Sequence, residues 1–218
     1  MKVSLIIGIV TCFLVTGCSH SPECVDGINK LPMYGGVKKC DAQKEADKQF
    51  LAYCDKTFKN RSNAAAHMIL RGWDNLYKNE QDTAMLRFNQ AWLLDSLNAE
   101  VYWGFADLLG AKGKYKESLP LYERSKKMNP KNAKLWQDES TSYGNLYFQT
   151  RDKKYHDATI NSLQKAISLE PKNAIFYSQL TAAYCHFMQK DSARKYMKIT
   201  EQLDPRAVTP EIRRFLDK

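Results

Sequence analysis

The tripeptides Met128-Asn129-Pro130, Leu169-Glu170-Pro171 and Leu203-Asp204-Pro205 each close a stretch of helical apolar periodicity, and Leu94-Asp95-Ser96 occupies the same place without a proline. The last residues of the four tripeptides are separated by 34, 41 and 34 positions. A period near 34 residues in a helical sequence predicts stacked helix-turn-helix units, because a single unit of this size cannot bury its own apolar face. The sequence therefore predicts an all-α solenoid.

The composition is that of a folded protein with a basic surface. The chain has 218 residues, of which 44% are hydrophobic and 26% charged, and its formal net charge is +9. This length predicts one domain with short appendages. The basic residues are dispersed, which favours an ordinary solvated surface; attraction to anionic headgroups or to an acidic partner is the alternative. No concentrated basic stripe is present in the sequence, so nucleic acid is not an expected partner.

The N-terminus carries an export signal. An apolar run over residues 3–15 is too short to span a bilayer comfortably and leads into small residues. The tetrapeptide Val15-Thr16-Gly17-Cys18 resembles the lipobox of bacterial lipoproteins. The resemblance implies that residues 1–17 are a signal peptide removed before Cys18, which is then lipidated, and Ser19 implies retention at the outer membrane. We therefore expect a lipid-anchored outer-membrane protein that faces the periplasm; an ordinary signal peptide followed by an incidental cysteine is the alternative.

The remaining cysteines are expected to meet an oxidising compartment, where disulfides form. Four cysteines follow Cys18 and allow three connectivities. Cys24 and Cys40 bracket a segment without clear periodicity, and a bridge between them is the favoured pairing, with a stabilisation of about 3 kcal/mol. Cys54 continues an apolar helical stripe, which favours a buried free thiol.

The predicted domain boundaries follow from breaks in the periodicity. Residues 18–40 are interpreted as tether and loop, and 41–62 as an N-terminal capping helix. A repeat domain is expected over 63–207, with units at about 65–98, 99–132, 133–173 and 174–207. Thr209 and Pro210 suit the first positions of a helix, and 208–218 is predicted to cap the C-terminal end of the solenoid.

Small and aromatic residues recur at matching positions of the units. The second unit has Tyr102, Phe105, Ala106, Leu109, Ser118, Tyr122 and Pro130, and the fourth has Tyr177, Leu180, Thr181, Tyr184, Ala193, Met197 and Pro205. This pattern resembles the tetratricopeptide repeat family. The resemblance implies a right-handed superhelix whose small residues let paired helices approach closely; these are Gly72, Ala106, Ser140 and Thr181. It also implies a concave groove that binds a protein or peptide.

The third unit departs from the period. It contains seven extra residues, which lie between Gly144 and His156. They either lengthen the helix pair, since two helical turns take about seven residues, or form a protruding loop. The sequence leaves both alternatives open for the insertion over 145–156.

No pattern of catalytic residues is present in the sequence, and the protein is not expected to be an enzyme. The four histidines are scattered, and no metal-binding pair or phosphate-binding loop is found. Cys185 and His186 are neighbours on a predicted helix, where they point about 100° apart and cannot act as a nucleophile and its base. We expect neither a metal nor a cofactor.

In the tetratricopeptide family the groove is lined mainly by the first helix of each repeat. Carrying this over gives the candidate groove residues Ile69, Trp73, Leu76, Tyr77, Trp103, Asp107, Gln137, Thr141, Asn145, Ser178, Ala182 and His186. The groove is thus expected to be apolar and aromatic at its N-terminal end and polar toward its C-terminal end. Trp73 and Trp103 are the favoured anchors, because large aromatics often dominate interfaces. Alternatively, the helix over 41–60 covers them as core.

The function expected from these features is that of a non-enzymatic interaction scaffold or assembly adaptor held at the envelope by lipid. Two alternatives stay open. One is an accessory subunit that recruits a periplasmic peptidase or cell-wall enzyme, and the other is a self-associating structural module, which would form homo-oligomers.

Overall fold

The structure of the protein, a computed structural model, describes residues 23–217, and over this range it consists of helices and connecting segments without strands. The α-helices are α1 Asp41–Thr57, α2 Arg61–Tyr77, α3 Gln81–Leu94, α4 Ala99–Ala111, α5 Tyr115–Met128, α6 Ala133–Thr150, α7 Lys153–Leu169, α8 Ala174–His186, α9 Lys190–Leu203 and α10 Pro210–Leu216. Short 3₁₀ helices lie at Ile28–Lys30, Pro32–Gly36 and Pro205–Ala207.

Helices α2 to α9 form four consecutive pairs: α2/α3, α4/α5, α6/α7 and α8/α9. Each pair packs against the next, and the first helices also meet directly, α2 with α4 and α4 with α6. The predicted all-α solenoid of four helix-turn-helix units is confirmed.

The turns between units share one capping chemistry. Helices α5, α7 and α9 end two residues before the prolines of the predicted tripeptides. Asn98, Asn132 and Asn173 then accept a hydrogen bond from a backbone N–H in the first turn of α4, α6 and α8. Proline cannot continue a helix, and asparagine accepts a hydrogen bond from a free N–H at the start of the following helix. The spacing of the tripeptides therefore marks the turns between units.

The packing of the first two units centres on Phe88, which is fully buried on α3. A Cβ atom added to Gly72 would lie 2.5 Å from the Phe88 ring, and one added to Gly104 would collide with the same ring. The ring makes edge contacts with Trp73 and Phe105 at centroid distances of 5.4 and 6.1 Å. The two glycines thus allow α2 and α4 to pack closely against the Phe88 ring. This role was predicted for Gly72 but not for Gly104.

The extra residues of the third unit lengthen its helices. α6 has 18 residues and α7 has 17, against 13 and 14 in α4 and α5. A tight turn joins them, in which Arg151 adopts a φ of 59° and Asp152 caps α7. The longer helix pair is therefore confirmed for 145–156, and the protruding loop is wrong, because roughly one further turn on each helix absorbs the insertion.

Residues 23–40 pack onto α3. Ile28 and Tyr34 are buried, and so is the side chain of Asn89 on α3. The Asn89 Oδ1 accepts the Tyr34 N–H at 3.2 Å, and its Nδ2 donates to the Leu31 carbonyl at 2.9 Å. A buried amide needs such partners, and this segment supplies them. In the described part of the predicted tether and loop over 18–40, residues 23–40 are thus a loop that packs on α3.

A disulfide joins Cys24 to Cys40, as predicted, and ties this segment to the start of α1. Cys54 is free and buried, also as predicted, and Cys185 is in the same state. The predicted signal peptide over 1–17 and the lipidation site at Cys18 lie outside the described residues.

The N-terminal capping helix is shorter than the predicted range of 41–62. α1 ends at Thr57, and Asn60 caps α2 by accepting the Asn63 N–H at 2.9 Å. Most of α1 is exposed, and it packs on the first unit through Phe50, Leu51 and Cys54.

At the other end, α10 covers the fourth unit as predicted. The Thr209 side chain accepts the Ile212 N–H at 3.5 Å, and Ile212 and Leu216 are buried. None of the helices within residues 23–217 combines the length and the hydropathy needed to cross a bilayer.

Candidate functional site

The candidate site is the face formed by the first helices of the units, α2, α4, α6 and α8, which we call the groove. Its N-terminal part is closed by aromatic rings. Trp73 is 9% exposed and meets Trp103 at a centroid distance of 4.7 Å. Phe88 lies behind Trp73, and Tyr77 stacks beside it at 6.2 Å. Trp73 is thus core, and it is buried by rings of the first two units.

Trp103 occupies a different position. Its ring is partly buried, and its Nε1 donates to Asp138 Oδ2 at 3.0 Å, across to the next unit. The indole N–H of Trp73 donates to Glu100 Oε1 at 3.1 Å in the same way. A third aromatic donor, the Tyr122 hydroxyl, reaches Asp107 Oδ1 at 3.1 Å. Three carboxylates of the groove are therefore held by aromatic hydrogen-bond donors.

Asp107 and Asp138 line a cavity of about 360 Å³ between α4 and α6, which we call the acidic cavity. Tyr115, Tyr122, Thr141, Ser142 and Asn145 complete much of its wall. Burial and, second, the nearby charge of Asp107 raise the pKa of Asp138 to about 7. Burial also raises the pKa of Asp107, and the Tyr122 hydrogen bond offsets part of this effect. The cavity thus holds two carboxyl groups that ionise reluctantly.

One lysine approaches this pair. Lys134 Nζ lies 3.7 Å from Asp138 Oδ1, and its side chain is 55% exposed. Such a long, solvated contact stabilises the ionised carboxylate only weakly. The acidic cavity therefore has little positive charge of its own to stabilise the ionised form of its two carboxyl groups.

A second cavity, of about 290 Å³, lies between α6 and α8 and has α7 as its floor. We call it the insertion cavity, because Phe148 from the lengthened end of α6 forms part of its wall. The Phe148 ring lies 5.5 Å from the His186 ring across the opening. Behind them, Tyr147 and His156 contact Phe187 at 4.9 and 4.1 Å. The insertion thus braces one side of the cavity against the fourth unit.

The insertion cavity is mainly apolar, with Leu163, Ala182 and Ala183 among its walls. Gln179 also lines it, and the Gln179 Oε1 is buried without a hydrogen-bond partner. A buried carbonyl oxygen in this state costs about 1–3 kcal/mol until a donor reaches it.

The predicted groove residues other than the two tryptophans divide into three sets. Leu76 is partly buried and Tyr77 is exposed beside the tryptophans, whereas the residues that line the two cavities are Asp107, Thr141, Asn145, Ala182 and His186. Ile69, Gln137 and Ser178 are only 2%, 9% and 9% exposed, so their assignment to an open groove surface is corrected. The Ser178 hydroxyl donates to the Ala207 carbonyl.

Sequence reasoning missed Glu100, Asp138 and Gln179, whereas Phe148 lies within the insertion that it singled out. A signal for Asp138 was available, since it lies 35 residues after Trp103, about one repeat along the chain. Gln179 gives no such signal, because an unpaired oxygen is visible only in three dimensions.

The solved structures similar to this protein place its fold among the tetratricopeptide-repeat solenoids. A thermophilic TPR protein of Thermus thermophilus matches with a TM-score of 0.60 and 22% identity over 70% of this chain and 79% of that chain. PilF of Pseudomonas aeruginosa matches with 0.60 and 18% over 72% and 67%, respectively. MamA of Desulfovibrio magneticus RS-1 matches with 0.57 and 15% over 76% and 87%. No family model and no curated protein matches the sequence.

Proposed function

We propose that the protein is a non-enzymatic interaction scaffold or assembly adaptor that binds a segment of a partner protein in its groove. The observation that carries this proposal is the state of the groove between α4 and α8. Two adjoining cavities there hold poorly compensated carboxyl groups and an unpaired buried oxygen. Groups of this kind destabilise a free protein, and a bound partner can satisfy them.

The likeness to solved repeat proteins supports the same proposal at the level of fold. Stacked helical repeats present extended concave surfaces, which suit protein ligands better than small molecules. Within residues 23–217, no group of three metal-ligating side chains comes together.

We further propose that the scaffold is held by lipid at the outer membrane and faces the periplasm. The lipobox-like tetrapeptide ending at Cys18 supports this proposal. The Cys24–Cys40 disulfide is consistent with an exported protein. The Cys18→Ser variant should move from the membrane fraction to the soluble fraction of fractionated cells. Persistence of that variant in the membrane fraction would contradict the anchor.

Groove binding is tested by site-specific photo-cross-linking in cells. Thr141 is exposed and lines both cavities, so a photoreactive residue at this position should capture a partner. Lys165 is an exposed residue of α7, the second helix of its pair, and serves as the matched control. Capture of a partner from Thr141 and none from Lys165 supports binding in the groove. Equal capture from both positions would contradict it.

The identity of the captured chain separates the remaining functions. A peptidase or cell-wall enzyme would make the protein an accessory subunit, and a second copy of this chain would make it a self-associating module.

A further inference from the structure

The two cavities of the groove form one continuous surface with two chemistries. Thr141 and Asn145 line both the acidic cavity and the insertion cavity. A ligand that fills one cavity therefore reaches the other within a few residues of extended chain, since each residue spans about 3.3 Å.

The charge of the acidic cavity is unusual within this chain. Glu139, one residue after Asp138, is 1% exposed; the largely buried Lys126 neutralises it at 2.7 Å, and it accepts a hydrogen bond from the Ser162 hydroxyl at 2.9 Å. Among the described residues, Asp107 and Asp138 have no such buried cation, although the formal net charge of the chain is +9. Glu139 is thus paired within the protein. The acidic cavity instead leaves room for a cation from outside, which a carboxylate pair binds through charge-assisted hydrogen bonds.

The insertion cavity suits an apolar group of a ligand rather than a cation. Its volume of about 290 Å³ and its walls of Phe148, Leu163 and Ala183 suit one bulky apolar side chain. The Gln179 Oε1 needs a hydrogen-bond donor, and a peptide backbone N–H is the donor that every extended segment carries. Two independent features, an apolar volume and an unpaired acceptor, thus point to polypeptide.

We infer that the groove binds an extended segment of a partner protein that carries an arginine or lysine close to a bulky apolar residue. The basic side chain enters the acidic cavity and pairs with Asp107 and Asp138. The apolar side chain enters the insertion cavity beside Phe148, and a backbone N–H of the segment donates to Gln179. This inference rests on the proposed function, of which it names the ligand.

The test uses the full chain purified in detergent and synthetic peptides of glycine and serine. Each peptide carries one arginine and one phenylalanine, with zero to three residues between them. Matched peptides replace arginine by citrulline, which is neutral and of nearly the same shape, or phenylalanine by serine. We expect at least one spacing to bind about tenfold more tightly with arginine than with citrulline, because only arginine pairs ionically with both carboxylates.

Variants separate the two cavities. The double variant Asp107→Asn/Asp138→Asn should lose the preference for arginine and keep the preference for phenylalanine. The Phe148→Ala variant should lose the preference for phenylalanine and keep the preference for arginine. Glu117→Gln removes an exposed carboxylate of α5 and should keep both preferences. If the double variant does not fold, Asp138→Asn alone is used, and it should reduce the arginine preference.

The inference is overturned if arginine and citrulline peptides bind equally, if no peptide binds, or if the double variant keeps the arginine preference. A failure of all peptides while the Thr141 photoprobe still captures a partner would remove this inference and leave the proposed function standing. If the photoprobe captures nothing and the arginine peptides bind as expected, the peptide specificity of the groove stands and the proposed capture of a partner in cells fails.

Discussion

The N-terminal and C-terminal halves of the groove use the same helix-turn-helix frame and reach opposite states. Between the first two units, Phe88 fills the space left by Gly72 and Gly104, and Trp73 and Trp103 close over it. Between the third and fourth units, Gly144 lines the insertion cavity, and a Cβ added there would come no closer than 3.9 Å to Thr159 of its own unit. At the first junction an aromatic ring fills the space behind the first helices and makes it core, whereas at the second junction the space remains a cavity.

The largest expected contrast is in stability. Phe88→Ala should lower the free energy of unfolding by about 3–5 kcal/mol, because it empties a site that the surrounding helices cannot close. Phe148→Ala, at a residue that is 42% exposed, should cost less than about 1 kcal/mol. Urea unfolding followed by circular dichroism measures both, and equal losses would show that the halves do not differ as described.

A smaller contrast concerns the glycines. Gly104→Ala should destabilise by about 1–3 kcal/mol, since the new methyl group meets the buried Phe88 ring. Gly144→Ala has room and lies inside α6, so it should stabilise by up to about 1 kcal/mol through its better helix propensity. Thermal unfolding of the two variants checks the signs. A stable Gly104→Ala variant would mean that the first two units are looser than their packing indicates.

The pH dependence of Asp138 should be smaller still. The pKa of Asp138 is raised to about 7 in the folded protein from 3.8, by burial and then by the charge of Asp107. Tyr122 from α5 and Lys134 on α6 are the other titratable groups close to this pair. Between these two pKa values the folded state retains a proton that the unfolded chain has lost, so stability falls as pH rises through this window.

Asparagine cannot ionise, and Asp138→Asn should therefore be more stable than the natural protein near pH 8, by on the order of 1 kcal/mol. Near pH 4 the gain should vanish. Asp157→Asn, at a carboxylate whose pKa is lowered by Lys153 and His156, is the control and should show no gain near pH 8. A pH-independent effect of Asp138→Asn would contradict the buried carboxyl pair.

The helical frame could be predicted because its signals are local. The tripeptides at Pro130, Pro171 and Pro205 mark turns, and the asparagines that follow the first two cap the next helices. The C-terminal capping helix could likewise be predicted from Thr209 and Pro210, because their roles at a helix start depend only on neighbouring residues.

The site was less predictable, because its features depend on contacts between units. Trp73 and Trp103 look equivalent in sequence, yet Trp73 is buried as core and Trp103 is only partly buried. The packing of residues 23–40 on Asn89 joins positions more than 50 residues apart. Periodicity places a residue on a helix face, but only the packing of the neighbouring helix decides whether that face is open.

Hydrogen exchange of the full chain with and without the arginine–phenylalanine peptide tests the comparison most directly, because it reads both halves of the groove at once. With the peptide bound, we expect slower exchange in α6 and α8, which line the insertion cavity, and unchanged exchange in α2, whose tryptophan is already packed. Protection confined to α2 and the Trp73 end, with α6 and α8 unaffected, would contradict it.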